Sequence, residues 1–285
     1  ASPRTDVGGF SRFGDIDDTK LWYGMWRKTT SVTAVTQQWY DDSMLAGIPA
    51  ANFYASAPLV SATLDANDGI RHWRLEDGAS EHLLEGMVFG NAGTLEAPAQ
   101  FLVCDYLLYY PFLDGDSADA QDLTNTVSLP RYTDGVGLRA FIVAQGSGSG
   151  TGTFTLSYTN QDGVSGRTSS GSVVTPTASG FILTCSSGTS SNRMEPFIQL
   201  QGTDTGIRSV EQFTWTSQPG GIAALVIVKP IAFLLYAEIG TVAEQTYYPR
   251  LPKIESGAYL NVLRSQVGAT PNARIFTGLL TTIRS

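Results

Sequence analysis

Thr153-Phe154-Thr155-Leu156-Ser157-Tyr158-Thr159 alternates polar and apolar residues without a break. A strand turns successive side chains to opposite faces, so Phe154, Leu156 and Tyr158 share one face and four hydroxyl residues share the other. The heptapeptide lies inside Gly146–Ser191, where 30 of 46 residues are Gly, Ser or Thr and only Asp162 and Arg167 are charged. A flexible Gly/Ser linker has no reason to alternate. The run therefore reads as β-structure whose outer face is made of small hydroxyl residues, a surface suited to being a wall or a contact.

Outward from this stretch the β signal is regular. Strands are expected at 137–145, 153–159, 180–185, 196–201, 207–216, 222–228 and 231–237, with turns at Asp162-Gly163, Ser187-Gly188 and Gln218-Pro219-Gly220-Gly221. That density of short strands predicts a mainly β fold, an antiparallel β-sandwich of jelly-roll or immunoglobulin-like type. Upstream, Ile70–Trp73 and Leu83–Phe89 read as short strands. Phe101–Leu113 reads as a long strand apolar on both faces, hence covered on both. One short N-terminal helix is expected at Ser31–Leu45, where Val32, Val35 and Trp39 approximate one face and Gly47 and Pro49 end it.

The expected layout is an N-terminal arm at 1–30 and a mixed, mostly β region with an acidic loop at 31–135. The sandwich follows at 136–240 and a C-terminal arm at 241–285, with 31–240 as one continuous domain in the alternative division. The aromatic run Leu21-Trp22-Tyr23-Gly24-Met25-Trp26 and the tail from Tyr247 are the reasons for reading extended terminal arms. Arms of that kind would be removable without unfolding the core.

Apolar residues make up 42% of the 285 and charged residues only 15%, which argues against disorder and for a surface dominated by uncharged polar groups. The net charge is −8, concentrated in the first half: residues 1–135 carry 19 acids against 8 bases, and 136–285 carry 7 against 10. An acidic chain repels nucleic acid and anionic membranes, so neither is an expected partner. Ile222–Ile239 is the most apolar segment, but Lys229-Pro230 interrupts it, so it reads as two buried strands on either side of a Pro bend rather than a membrane span. Ala1-Ser2-Pro3-Arg4 opens no apolar leader, and assembly in a cytoplasm is expected.

The chemistry-bearing residues form no recognised constellation. Asp114-Gly115-Asp116-Ser117-Ala118-Asp119 begins like a Ca²⁺ loop, but Ala118 and Asp119 then stand where a ligand and a Gly are required, so a solvated loop is expected. Asp15, Asp17 and Asp18 read the same way. His72 and His82 lack a partner motif and read as surface histidines. Cys104 and Cys185, 81 residues apart, read as buried free thiols, although spacing does not decide whether they pair. Gly146–Gly152 matches no phosphate-binding pattern and reads as a flexible loop at a sheet edge. A carboxylate pair for glycoside hydrolysis has no sequence signature and stays open. No catalytic, cofactor-binding or metal-binding residue is assigned, and the chain is expected not to be an enzyme.

Three blocks carry a resemblance. The first is Trp26-Arg27-Lys28-Thr29-Thr30 with Trp39-Tyr40-Asp41-Asp42-Ser43-Met44 and Gly47-Ile48-Pro49-Ala50-Ala51-Asn52-Phe53-Tyr54-Ala55-Ser56-Ala57-Pro58-Leu59. The second is Cys104-Asp105-Tyr106-Leu107-Leu108-Tyr109-Tyr110-Pro111-Phe112 with Leu129-Pro130-Arg131-Tyr132-Thr133-Asp134-Gly135. The third is Tyr158-Thr159-Asn160-Gln161-Asp162-Gly163 with Gly206-Ile207-Arg208-Ser209-Val210 and Ala224-Leu225-Val226-Ile227-Val228-Lys229-Pro230. Together they resemble a widespread type of tailed-bacteriophage virion structural protein. The resemblance implies a capsid decoration or cement protein in the virion, with the major capsid protein and copies of itself as partners, as a homo-oligomer and without an active site. A tail or neck component, and a carbohydrate-binding sandwich acting as a glycan-binding spike or glycosidase, are the alternatives.

Overall fold

The computed structural model describes residues 21–31, 34–35, 37–64, 68–72, 82–91, 98–184, 195–236, 242–247, 250–266 and 273–284. Among them, sixteen strands numbered along the chain form three antiparallel sheets. Sheet I contains β1 (Leu21–Thr29), β3 (Ala46–Ile48), β5 (His82–Asn91), β13 (Val242–Thr246), β14 (Lys253–Ile254) and β16 (Ile275–Arg284), in the order β13-β5-β16-β1-β3 with β14 also on β5. Sheet II contains β2 (Trp39–Asp41), β4 (Ala62–Thr63), β6 (Ala99–Asp114), β8 (Arg139–Ala144), β12 (Ile222–Tyr236) and β15 (Tyr259–Gln266), in the order β2-β15-β6-β12-β8 with β4 also on β6. Sheet III contains β7 (Gln121–Asp122), β9 (Gly152–Asn160), β10 (Arg167–Val173) and β11 (Ile207–Ser217), in the order β10-β9-β11-β7.

The expected antiparallel sandwich is present, built from three sheets around two cores. One core joins sheets II and III, with Phe154, Leu156, Tyr158, Phe213 and Trp215 packed toward Tyr110, Phe141 and Val226. Phe154 stacks on Phe213, their ring centroids 5.6 Å apart. The other joins sheets I and II, where Trp26, Phe89 and Phe101 pack ring against ring at 4.8 to 6.0 Å. The long strands β6 and β12 belong to both cores: Phe101 and Leu234 lie in the second, Tyr110 and Leu225 in the first.

The alternation at Thr153–Thr159 is realised residue by residue. Phe154, Leu156 and Tyr158 are buried, and Thr153, Thr155, Ser157 and Thr159 are exposed or half-buried. Strand β10, Arg-Thr-Ser-Ser-Gly-Ser-Val, pairs with β9 along its whole length although its composition carries no apolar period. Gly171 lies against the Phe154 ring there, where a side chain would crowd the aromatic edge at 3.0 Å.

Four expectations are corrected. The helix at Ser31–Leu45 is replaced by β2 and a single 3-10 turn at Asp42–Met44, because Trp39–Asp41 pair with β15 and the Asp41 carboxylate accepts the Ser43 N–H to cap the turn. The two strands around a Pro bend are one strand, β12, which absorbs Pro230 at a register shift opposite Cys104, where no ladder N–H is needed. The expected strands at 180–185 and 196–201 are, in their described residues, isolated bridges at Phe181 and Ile182 and a single Ile198 N–H bond to Ala140. The terminal arms, where described, are sheet. Strand β1 pairs with β16 over nine residues, and β15 lies between β2 and β6 inside sheet II. Residues 1–20 lie outside the described residues.

Two outcomes follow for stability. Leu156→Ala should cost about 2–5 kcal/mol and Thr155→Ala no more than about 0.5 kcal/mol in urea unfolding, since only the first empties the core. Truncation after Thr246 removes β14, β15 and β16 and should yield aggregated or protease-labile chain rather than a folded core with an arm missing, as read by circular dichroism and limited proteolysis.

Candidate functional site

The most concentrated chemistry among the described residues is a network of charges taken out of water where sheets I and II meet. Lys28 of β1, Asp41 and Asp42 at the end of β2, Asp105 of β6 and Arg264 of β15 are all at most 1% exposed. Arg264 grips Asp42 through two nitrogens at 2.8 and 3.1 Å, and its third points at the Gln266 amide oxygen at 2.7 Å. The guanidinium lies over the Tyr40 and Phe276 rings, 5.0 and 4.6 Å from their centroids. Arg131 makes the same fork to Asp105 at 2.8 and 2.7 Å, and Asp105 also accepts the Tyr259 N–H. Lys28 donates to the Leu45 and Pro49 carbonyls at 3.0 and 2.7 Å, tying sheet I to the chain that leaves β2. Asp41 has no cation in contact among the described residues: it accepts from the Tyr54 and Tyr106 hydroxyls and from Ser43 N–H.

Burial sets the protonation behaviour. It pushes the Asp41, Asp42 and Asp105 carboxyls up, against the pull of hydrogen bonds at Asp41 and of the arginines at the other two. It lowers Lys28 to about 8, with Asp42 and Asp41 holding it from falling further. Beside Asp41, burial raises the Tyr259 hydroxyl to about 12. The amides of Asn52 and Asn261 nearby have their oxygens fixed by the Tyr54 and Val262 N–H groups. Sealed from solvent, Asp41 and Asp42 have no route to a polymeric substrate, so this pair of neighbouring carboxylates does not fit glycoside hydrolysis.

The sequence-level candidates are dispersed. Asp114 and Ser117 serve as turn acceptors for Asp116 N–H and Asp119 N–H, and among the described residues no three of His, Cys, Asp and Glu gather to hold a metal ion. His72 is not a surface histidine: it is buried, with its Nε2–H on the Ala258 carbonyl at 2.8 Å. The His82 side chain, Cys185 and Asp15, Asp17 and Asp18 lie outside the described residues. Cys104 is a buried free thiol whose ionisation burial pushes well up, which makes it a poor nucleophile. The glycine loop at 146–152 is packed, not loose: Ser149 and Gly150 N–H both bond the Pro219 carbonyl, and a side chain at Gly148 would meet the Gly220 oxygen at 2.4 Å. Gly148 and Gly152 serve close backbone approach.

Sheets III and I each leave one face open. The outer face of sheet III carries cross-strand rows of hydroxyls, Ser172–Thr153 and Ser170–Thr155–Thr214. The loop reaching its edge is fixed by Asp204, whose carboxylate accepts from Arg167, Tyr158 and Asn160 and is lowered to about 2, chiefly by Arg167. The outer face of sheet I is apolar. One row across it reads Glu244–Val88–Leu279–Met25, and the next reads Val242–Gly90–Thr277–Arg27–Ile48. Met25, Ile48 and Val242 are 57%, 49% and 64% exposed, unusual for side chains of this size grouped on one face. Around Gly90 and Gly278 the face dips into a depression of about 290 Å³.

No family model, curated protein or solved structure matches the chain. No helix among the described residues is long and apolar enough to cross a membrane.

The Lys28 environment sets a pH dependence. Its folded value of about 8 lies below the ordinary 10.5, so the folded chain binds fewer protons than the unfolded chain between these limits, and stability from this group rises with pH. The stability difference between wild type and Lys28→Met, from urea titrations, should shift toward wild type by about 2 kcal/mol from pH 8 to pH 10. A flat difference would mean that Lys28 is not buried as described.

Proposed function

We propose that this chain is a non-enzymatic structural protein of a tailed-phage virion, a decoration or cement protein that binds the head shell and stabilises it. One observation carries the reading. Residues from two of the sequence blocks that bear the resemblance, far apart in the chain, converge on a single buried network. Lys28, Asp41, Asp42 and Tyr54 come from the first block, and Asp105, Tyr106 and Arg131 from the second. The resemblance thus rests on groups that hold one another in three dimensions. It resides in residues that build the fold, as suits a scaffold protein, and not in a solvent-accessible reactive cleft.

The surfaces support the same reading. A few charges are sealed inside, and two extended sheet faces are left sparsely charged, one hydroxyl-rich and one apolar. Such faces lie against neighbours without the desolvation penalty that surface ions impose. A glycan-binding role draws on the hydroxyl face of sheet III, but sugar rings stack on aromatic side chains. The exposed aromatics among the described residues, Trp22, Tyr23, Phe53 and Phe233, all lie outside sheet III.

Quantitative mass spectrometry of purified virions tests the proposal. Hundreds of copies per particle are expected for a shell decoration. About a dozen would place the chain in the neck or tail, and absence from the particle would overturn the virion reading. Binding to a glycan array would favour the carbohydrate alternative.

A further inference from the structure

We infer that the outer face of sheet I is a self-association surface that docks a second copy of this chain about a two-fold axis. The inference does not rest on the virion reading.

A chain of net charge −8 repels its own copies, so self-association needs a face that adds nothing to that repulsion. In the two central rows of sheet I the charged groups are Arg27 and Glu244, one of each sign. Neither forms an ion pair among the described residues, and both point outward with Met25 and Val242, away from the Trp26 and Phe89 core. Two central rows that hold one cation and one anion around an apolar centre, with Glu85 buried beside Glu244, are complementary to themselves.

The positions of these charges fit the symmetry. Arg27 on β1 and Glu244 on β13 lie three strands and one row apart, about 16 Å from strand spacings of about 4.8 Å and rows of about 7 Å. The midpoint between them falls on Val88, Gly90 and Leu279. A two-fold axis through that point, in the plane of the interface and perpendicular to the line joining the charges, lays Arg27 over the partner's Glu244. The same operation lays Glu244 over the partner's Arg27. Both charges are satisfied at once, as an isologous contact requires. The operation also brings Met25 over the partner's β5 near the small residue Gly86, so the apolar knob meets relief instead of a bulky side chain.

Area sets the strength. The face spans roughly 24 by 20 Å, about 500 Å² per copy and about 1,000 Å² in total, below the usual size of a permanent interface. The dimer is therefore reversible and concentration-dependent, and becomes firm when other contacts hold many copies together.

Sedimentation equilibrium of the full chain, with a circular dichroism melt on each variant to verify folding, tests this. A reversible monomer–dimer equilibrium is expected. Arg27→Glu should weaken it by about tenfold or more, and the double exchange Arg27→Glu/Glu244→Arg should restore it. Both residues are on the outer face, so the fold should survive each change. Leu279→Lys should leave only monomer. The inference is overturned by a monomer at all concentrations, by a dimer indifferent to Arg27→Glu or Leu279→Lys, or by failure of the double exchange to recover what the single one loses. Because the measurement needs no virion, its failure leaves the copy-number test untouched, and the reverse holds too.

Discussion

The pairing of β6 with β12 is the constraint on which the rest of the molecule depends. These are long strands, 16 and 15 residues, and they pair antiparallel from Ala99–Tyr236 at one end to Asp114–Ile222 at the other. Neither core could exist without them, because each takes a different half of the same ladder. A straight ribbon of that length would twist too far to serve two sheets. Three register shifts, the last beside Pro230, add local bends and redirect side chains between one core and the other. The proline that reads as a break in sequence is thus part of what lets one strand serve two packing layers.

The buried ions act on that frame in a particular way. Ion pairs as deep as Arg264–Asp42 add little net stability over a well-packed apolar replacement, yet separating the partners is costly. They therefore penalise alternatives. A slip of β1 by one residue would send Lys28 to solvent and drive Arg27 into the aromatic core beside Phe89 and Phe101. Lys28, bonded to the Leu45 and Pro49 carbonyls, makes the correct register the one that satisfies both strands.

What the residues disclosed followed the reach of periodicity. Strand β9 was legible because its alternation is strict and local, and Phe101–Leu113 because an apolar run that long has to be covered on both sides. Strand β10 was hidden, since Gly171 packs by being small against Phe154 while Ser170 and Ser172 face outward, a relation with no apolar pattern along the chain. Strand β1 was hidden for the opposite reason: aromatic and apolar residues occupy both of its faces, so the alternation of Trp26 and Lys28 inward with Met25 and Arg27 outward does not stand out. The 31–45 segment looked helical because Val35 and Trp39 fall at helical spacing, and the deciding partner, β15, lies more than 200 residues away. The buried network was invisible as such, because aspartates and arginines in a sequence look the same whether solvated or sealed. The signal that could have found it is the adjacency of Asp41 and Asp42 to aromatic residues in a segment with little else to keep it wet.

The β1–β16 pairing has a consequence for how the chain comes into being. Trp22 and Thr282 sit side by side in sheet I, yet are 260 residues apart in sequence. A contact of that span closes its loop only after almost everything between has been made, so the molecule belongs with slow folders of high contact order. During synthesis Arg27–Thr29 of β1 meet β3 early, but Tyr23, Met25 and Trp26 wait for β16 through most of translation. That interval, more than the stability of the finished protein, is where a nascent chain is open to capture by chaperones or by the unpaired strands of other copies.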